Sequence, residues 1–102
     1  MRKDAEQIEV KSYSIEQAQY VTPEKLIFEK AKDGYLHVNR TDDNKFFIYL
    51  SDDELNVNYI TVPFQIEDMV NLILQAFDEG KKELGTFLLY HLAGLGSVEV
   101  EF

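Results

Sequence analysis

Residues 33–61 read DGYLHVNRTDDNKFFIYLSDDELNVNYIT, and this stretch decides the fold class. Three runs rich in β-branched and aromatic residues alternate with turn-forming clusters. Asp33-Gly34 precedes Tyr35–Asn39, Thr41-Asp42-Asp43-Asn44 precedes Phe46–Leu50, and Ser51-Asp52-Asp53-Glu54 precedes the alternation of Val57, Tyr59 and Thr61. Short strands separated by Gly, Asn and Asp clusters are the signature of an antiparallel meander. In the first, Leu36 and Val38 share one face and Tyr35 and His37 the other. The apolar cluster Leu26–Ala31 before Asp33-Gly34 reads as a further strand, hairpin-paired with Tyr35–Asn39. Pro63 cannot donate to a ladder and should end the last strand.

Working outward, residues 65–79 carry the clearest helical pattern. Ile66, Met69, Val70, Ile73 and Phe77 follow one apolar stripe, and Leu72 and Leu74 widen it towards a second contact. Glu67 and Asp68 complement the positive end of the helix dipole, Gly80 suits the C-terminal cap, and Lys81 and Lys82 suit the negative end. In Leu84–Leu95, Leu84, Phe87, Leu88, His91, Leu92 and Leu95 recur at helical spacing, which favours a second helix over a buried strand at Thr86–Leu92. Val98-Glu99-Val100-Glu101-Phe102 alternates strictly and reads as a closing strand.

Upstream, Ile8-Glu9-Val10 alternates like a strand, and Ser14-Ile15-Glu16-Gln17 matches a capping box for a short helix. Thr22-Pro23-Glu24 is a second helix-start signature, in conflict with the strand reading of Leu26-Ile27-Phe28. The expected architecture is α+β: a mostly antiparallel sheet of about four to six strands, with one or two helices packed on one face. The 102 residues are expected to form a single domain, 1–102, with 1–22 as a loosely docked N-terminal arm.

Composition bounds the function. The chain has no cysteine, which excludes disulfides, thiolate metal sites and thiol catalysis. Met1-Arg2-Lys3 is followed by acids instead of the apolar run of a signal peptide, and no apolar run approaches membrane-spanning length. A cytoplasmic location is the expectation. The formal net charge is −9 and unevenly placed. Residues 1–45 hold nine acids and eight bases; residues 46–102 hold ten acids and only Lys81 and Lys82. Such a half repels a phosphate backbone and an anionic membrane, and attracts a basic protein surface.

No constellation carries a reaction. Asp42-Asp43-Asn44 and Asp52-Asp53-Glu54 could suggest calcium, but counting from Asp42 an EF-hand would need Gly where Phe47 stands and Glu where Asp53 stands. Asp and Asn belong in tight turns because their side chains bond nearby backbone, and that reading outweighs the metal. Glu99 and Glu101 would sit about 7 Å apart on one strand face, within range of paired catalytic carboxylates, yet a solvated face opposite Val98 and Val100 explains them. His37 and His91 have no acidic or histidine neighbour at helical spacing, so structural roles are favoured over base or metal ligand. Phe46, Phe47 and Tyr49 lack the basic, Gly-rich surroundings of a base-stacking platform.

The function expected is that of a non-enzymatic interaction or regulatory module, of inhibitor, immunity or nucleic-acid-mimic type. Its acidic half would engage a basic protein surface or a nucleic-acid-binding protein. The contact residues expected are Asp52, Asp53 and Glu54 in one loop, with Glu67, Asp68, Asp78 and Glu79 on the helix. Tyr49, Tyr59 or Leu72 would supply the desolvated contacts. No cofactor, no metal, no membrane and no direct nucleic-acid contact are expected. The alternative is a homo-oligomeric regulator, a homodimer in the simplest case, holding a small ligand or peptide in an apolar pocket. A hydrolase built on Glu99, Glu101 and His91 is the most remote reading.

Overall fold

The computed structural model describes residues 13–94. The expected strands at Ile8–Val10 and Val98–Phe102, and the pair Glu99 and Glu101, lie outside them. The fold is α+β: a four-stranded mixed sheet and three helices. The strands are β1 (Gln19–Tyr20), β2 (Tyr35–Arg40), β3 (Phe46–Ser51) and β4 (Val57–Ile60), in the order β1-β4-β3-β2. β2, β3 and β4 form the antiparallel meander read from the sequence, but β1 lies parallel to β4. The sheet is therefore mixed, not mostly antiparallel, and three helices replace the expected one or two. Among the described residues no helix is long and apolar enough to cross a membrane.

The strand expected at Leu26–Ala31 is helical. Helix α1 (Pro23–Lys25) continues through a π-helical turn, Leu26–Lys30, into a 3-10 turn, Ala31–Asp33. Thr22 decides this. It has extended backbone angles and its Oγ1 accepts from the Lys25 N–H at 3.2 Å, while Pro23 supplies a pre-set first helical residue. Leu26, Ile27 and Ala31 then fall on one helical face and are buried. Gly34 is not the tip of a hairpin but the hand-over to β2, where an added Cβ would run into the Ser51 carbonyl oxygen. The capping box at Ser14 is likewise unused. Ser14 donates its N–H to Leu55 and accepts from Val57 through backbone atoms, tying this segment to the sheet, and a turn at Glu16-Gln17, closed by the Ala18 N–H on the Ile15 carbonyl, follows in place of a helix.

The first face of the sheet presents Leu36, Ile48 and Leu50 to Leu26, Ile27 and the helices α2 (Ile66–Asp78) and α3 (Lys82–Leu92). The second presents Phe47, Tyr49, Val57 and Ile60 to Tyr13, Ile15, Ala18 and Tyr20. Leu36 and His37 divide between the faces as alternation requires, but β4 breaks the rule. Leu50 pairs with Tyr59 and Ser51 with Val57, so Asn58 is an extra, bulged residue. Val57 and Tyr59 consequently join opposite cores.

The described part of segment Leu84–Leu95 is helical as far as Leu92, in a helix that spans Lys82–Leu92, and Leu95 lies outside the described residues. Helix α2 ends in a Schellman cap: Gly80 has φ +77°, the Lys81 N–H bonds the Ala76 carbonyl at 2.8 Å, and the Gly80 N–H bonds that of Phe77 at 3.1 Å. Past Ile60 the ladder is extended by a side chain. Thr61 is fully buried; its N–H donates to the Ile48 carbonyl at 3.0 Å and its Oγ1 accepts from the Ile48 N–H at 3.1 Å. Thr61→Val keeps the shape but strands the Ile48 donor, so urea unfolding should show a loss of about 1–3 kcal/mol. Unchanged stability would mean that this hydrogen bond contributes nothing.

Candidate functional site

The expected contact residues fall in three places. Asp52, Asp53 and Glu54 lie in the β3–β4 loop, at one end of β3. Glu67 and Asp68 open α2, just after the Phe46–Phe64 bridge at the other end of β3. A six-residue strand separates these groups by about 17 Å. Asp78 and Glu79 close α2, about 16 Å along its axis from Glu67. The loop acids and the pair that opens α2 therefore sit apart, and the pair that closes α2 sits apart from the pair that opens it.

Their roles also differ. Asp52 holds its own loop together: its Oδ1 accepts from the Glu54 and Asn56 N–H groups at 2.8 and 3.0 Å, and its Oδ2 from the Asn56 amide at 3.4 Å. The bond from the Asn56 N–H, foremost, holds its carboxyl below the usual range. The neighbouring Asp53 carboxylate raises the pKa of the Tyr35 phenol, by favouring its protonated, donating form and then by its charge. Glu79 accepts from Gln75 Nε2 at 2.9 Å. Glu54, Glu67, Asp68 and Asp78 are exposed and join no ion pair. Among the described residues the single ion pair is Lys45–Asp43, at 3.7 Å in the β2–β3 loop.

The apolar contacts are redistributed more sharply. Tyr49 and Leu72 are buried, so neither can meet a partner, and Tyr59 packs against the first core beneath the Lys30 ammonium. Helix α2 instead shows two apolar faces. Met69, Leu72, Ile73 and Ala76 are buried, whereas Val70, Leu74 and Phe77 are 38, 61 and 40 % exposed. Val70 and Phe77 thus leave the core stripe to which their spacing assigned them. A helix's core-facing arc spans little more than 100°, and α2 carries apolar residues well beyond it. Spacings of four and three residues put Val70, Leu74 and Phe77 on one ridge, the part of the site that sequence reading misassigned. The surplus of Leu72 and Leu74 was the available signal, and Leu74 is its exposed half.

The two histidines occupy different settings. His37 stacks on Tyr49 with ring centres 4.5 Å apart, meets Tyr13 edge-on, and lies 2.9 Å through Nε2 from Ser51 Oγ. A Ser–His pair can activate a hydroxyl, but Ser51 is only 1 % exposed, and the bond joins β2 to β3 inside the structure. His91 packs edge-on to Phe87 and lines a shallow groove of about 230 Å³ with Val38, Asn39, Arg40, Phe46 and Gly94. Arg40 is engaged there, donating to the Leu92 carbonyl at 2.9 Å and lying over the Phe46 ring, where its charge meets the negative end of α3. No cluster of three or more His, Asp or Glu suited to a metal occurs among the described residues.

No protein-family model matches the chain, nor does any curated protein or solved structure. The functional reading rests on the geometry alone.

Two measurements follow from that geometry. Burial lowers the pKa of both His37 and His91 from 6.5. The folded state therefore binds fewer protons than the unfolded one as pH falls through the histidine range. The stabilisation is complete above about pH 6.5 and is lost progressively below it. Both imidazoles should titrate below 6.5 by NMR, with the urea midpoint falling over the same range; titration at or above 6.5 would contradict this. In the loop, Asp52→Ala should lower the urea midpoint and Asp52→Asn should restore most of it, since an amide oxygen still accepts. Asp53→Ala and Glu54→Ala should leave it nearly unchanged, and equal losses at all three positions would remove the distinction.

Proposed function

We propose that this chain is a non-enzymatic interaction module that engages a basic surface on another protein. The observation supporting this reading is that, among the described residues, the acids of the second half remain at the surface without ion pairs, while three of the bases nearby are committed elsewhere and Lys82 stands exposed. Lys45 pairs with Asp43, Lys81 lies over the Phe28 ring, and Arg40 is bound to α3. An acidic surface left uncompensated accelerates encounter with cationic partners and rejects polyanions. A cytoplasmic setting and an inhibitory or regulatory role belong to the same proposal.

Because Asp52 is needed by its loop, the informative variant neutralises Asp53, Glu54, Glu67 and Asp78 to their amides. With a partner isolated by cross-linking, association should slow at least about tenfold between roughly 50 and 300 mM salt. The neutralised variant should bind more slowly at low salt and lose most of that salt dependence. A partner whose association rate is indifferent to both salt and neutralisation would refute the proposal.

A further inference from the structure

We infer that the docking centre is the outer ridge of α2, and that its partner is an amphipathic helix of another protein whose apolar face is bordered by Lys or Arg. This rests on the acidic-module reading and assigns it a place. Val70, Leu74 and Phe77 form the ridge, and α3 lies beside it. An added Cβ on Gly85 would come within 2.8 Å of the Phe77 ring. Leu89, 43 % exposed, follows Gly85 by four residues on the same face of α3. The close approach of Phe77 to Gly85 sets the exposed residues of α2 beside Leu89 of α3, and side-chain ridges on adjoining helices are what a third helix packs against.

The border of this apolar strip selects the partner. On α2 the positions angularly next to Val70, Leu74 and Phe77 on the side away from the core are Glu67, Asn71 and Asp78. Residues 66–79 contain no Lys or Arg. A second copy of this chain is a poor occupant. Antiparallel pairing of two α2 helices would set Glu67 and Asp68 against Asp78 and Glu79, and parallel pairing would set each acid against itself. Of the nearest bases, Lys81 lies over the Phe28 ring, and Lys82, exposed in the first turn of α3 three residues before Gly85, borders the Leu89 side only at its end near Gly80. The apolar area is also small. Even at the about 150–250 Å² of an aromatic side chain, four residues roughly half exposed offer on the order of 400 Å². A stable interface takes about 800 Å² from each partner, so the polar border must join the contact, and on the α2 side that border carries Glu67 and Asp78 and no base.

The test uses a helical peptide of about 18 residues, five turns, with a leucine face flanked by lysines. Its controls are the same peptide with glutamates for lysines and a scrambled sequence of equal composition. With isotope-labelled protein, the Leu/Lys helix should shift the amides of Val70, Leu74, Phe77 and Leu89, and the controls should not. Leu74→Gln, at an exposed helical position, should weaken binding at least about tenfold while leaving the circular dichroism unchanged, and Leu89→Gln should act in the same direction.

Salt-sensitive binding that is indifferent to both substitutions, with shifts at Asp53 and Glu54, would overturn the placement and leave the acidic-module reading standing. Failure of the Leu/Lys helix to bind at low salt, or equal binding of the Leu/Glu helix, would overturn both. A dimer in sedimentation that Leu74→Gln dissociates would identify the ridge as a self-interface and overturn the choice of partner.

Discussion

Strand β3 lies between β2 and β4 with all six of its residues buried, and the rest of the chain is arranged to meet that demand. A strand buried on both sides needs two apolar covers, and alternation sends Ile48 and Leu50 to one, Phe47 and Tyr49 to the other. The helices supply the first. The second comes from residues 13–20, which contribute Tyr13, Ile15, Ala18 and Tyr20 and add β1 as a parallel neighbour of β4. The N-terminal region from residue 13 onward is therefore part of the folded body, tied by backbone bonds at Ser14 and Val21 and by the edge-on contacts of Tyr13 with His37 and Tyr49.

The same demand explains where polar groups are tolerated. Ser51 and Thr61 are the buried polar residues among those described, and both sit where a strand ends. Thr61 replaces a ladder partner for Ile48 beyond the last residue of β4, and Ser51 meets His37 across the β2–β3 pair. Each polar side chain is buried with its hydrogen bond made, which avoids the desolvation cost of an unmatched group. The helices face a looser requirement. One face of the sheet can absorb only so much of α2, so Met69, Leu72, Ile73 and Ala76 go inward and Val70, Leu74 and Phe77 are left over. A ridge that folding covers only in part, with Glu67 and Asp78 along one side, is the kind of surface on which a binding role can be placed without loss of core.

Much of the fold was legible because its signals are local. The meander follows from turn residues and two-residue alternation, and α2 from its stripe, first-turn acids and Gly80. Leu26-Ile27-Phe28 was misread because three adjacent apolar residues fit a strand as well as a helix; the Thr22 cap and the burial of Ala31 decide it. The parallel pairing of β1 was hidden because two residues carry no periodicity, and it depends on contacts some forty residues away. The bulge at Asn58 has no strong sequence mark, so Tyr59 was placed on the wrong face relative to Val57. For the site, net charge indicated an acidic half but could not show that Asp52 is spent on its loop, or that the loop acids and those opening α2 lie at opposite ends of β3. Periodicity likewise could not tell which edge of the wide apolar arc of α2 would be covered.

The claim on which all this depends is that two-sided burial of β3 holds the molecule together, with residues 13–20 as integral to it as the helices. Native-state hydrogen exchange with residue resolution tests it most directly. The amides of Phe47, Ile48, Tyr49 and Leu50 should exchange only through global unfolding, with opening free energies equal to that from urea denaturation. The Val21 and Val57 amides, which bond to Ile60 and Ser14, should exchange with closely similar energies. Exchange of the β3 amides through a smaller opening, with the helices still protected, would contradict the account.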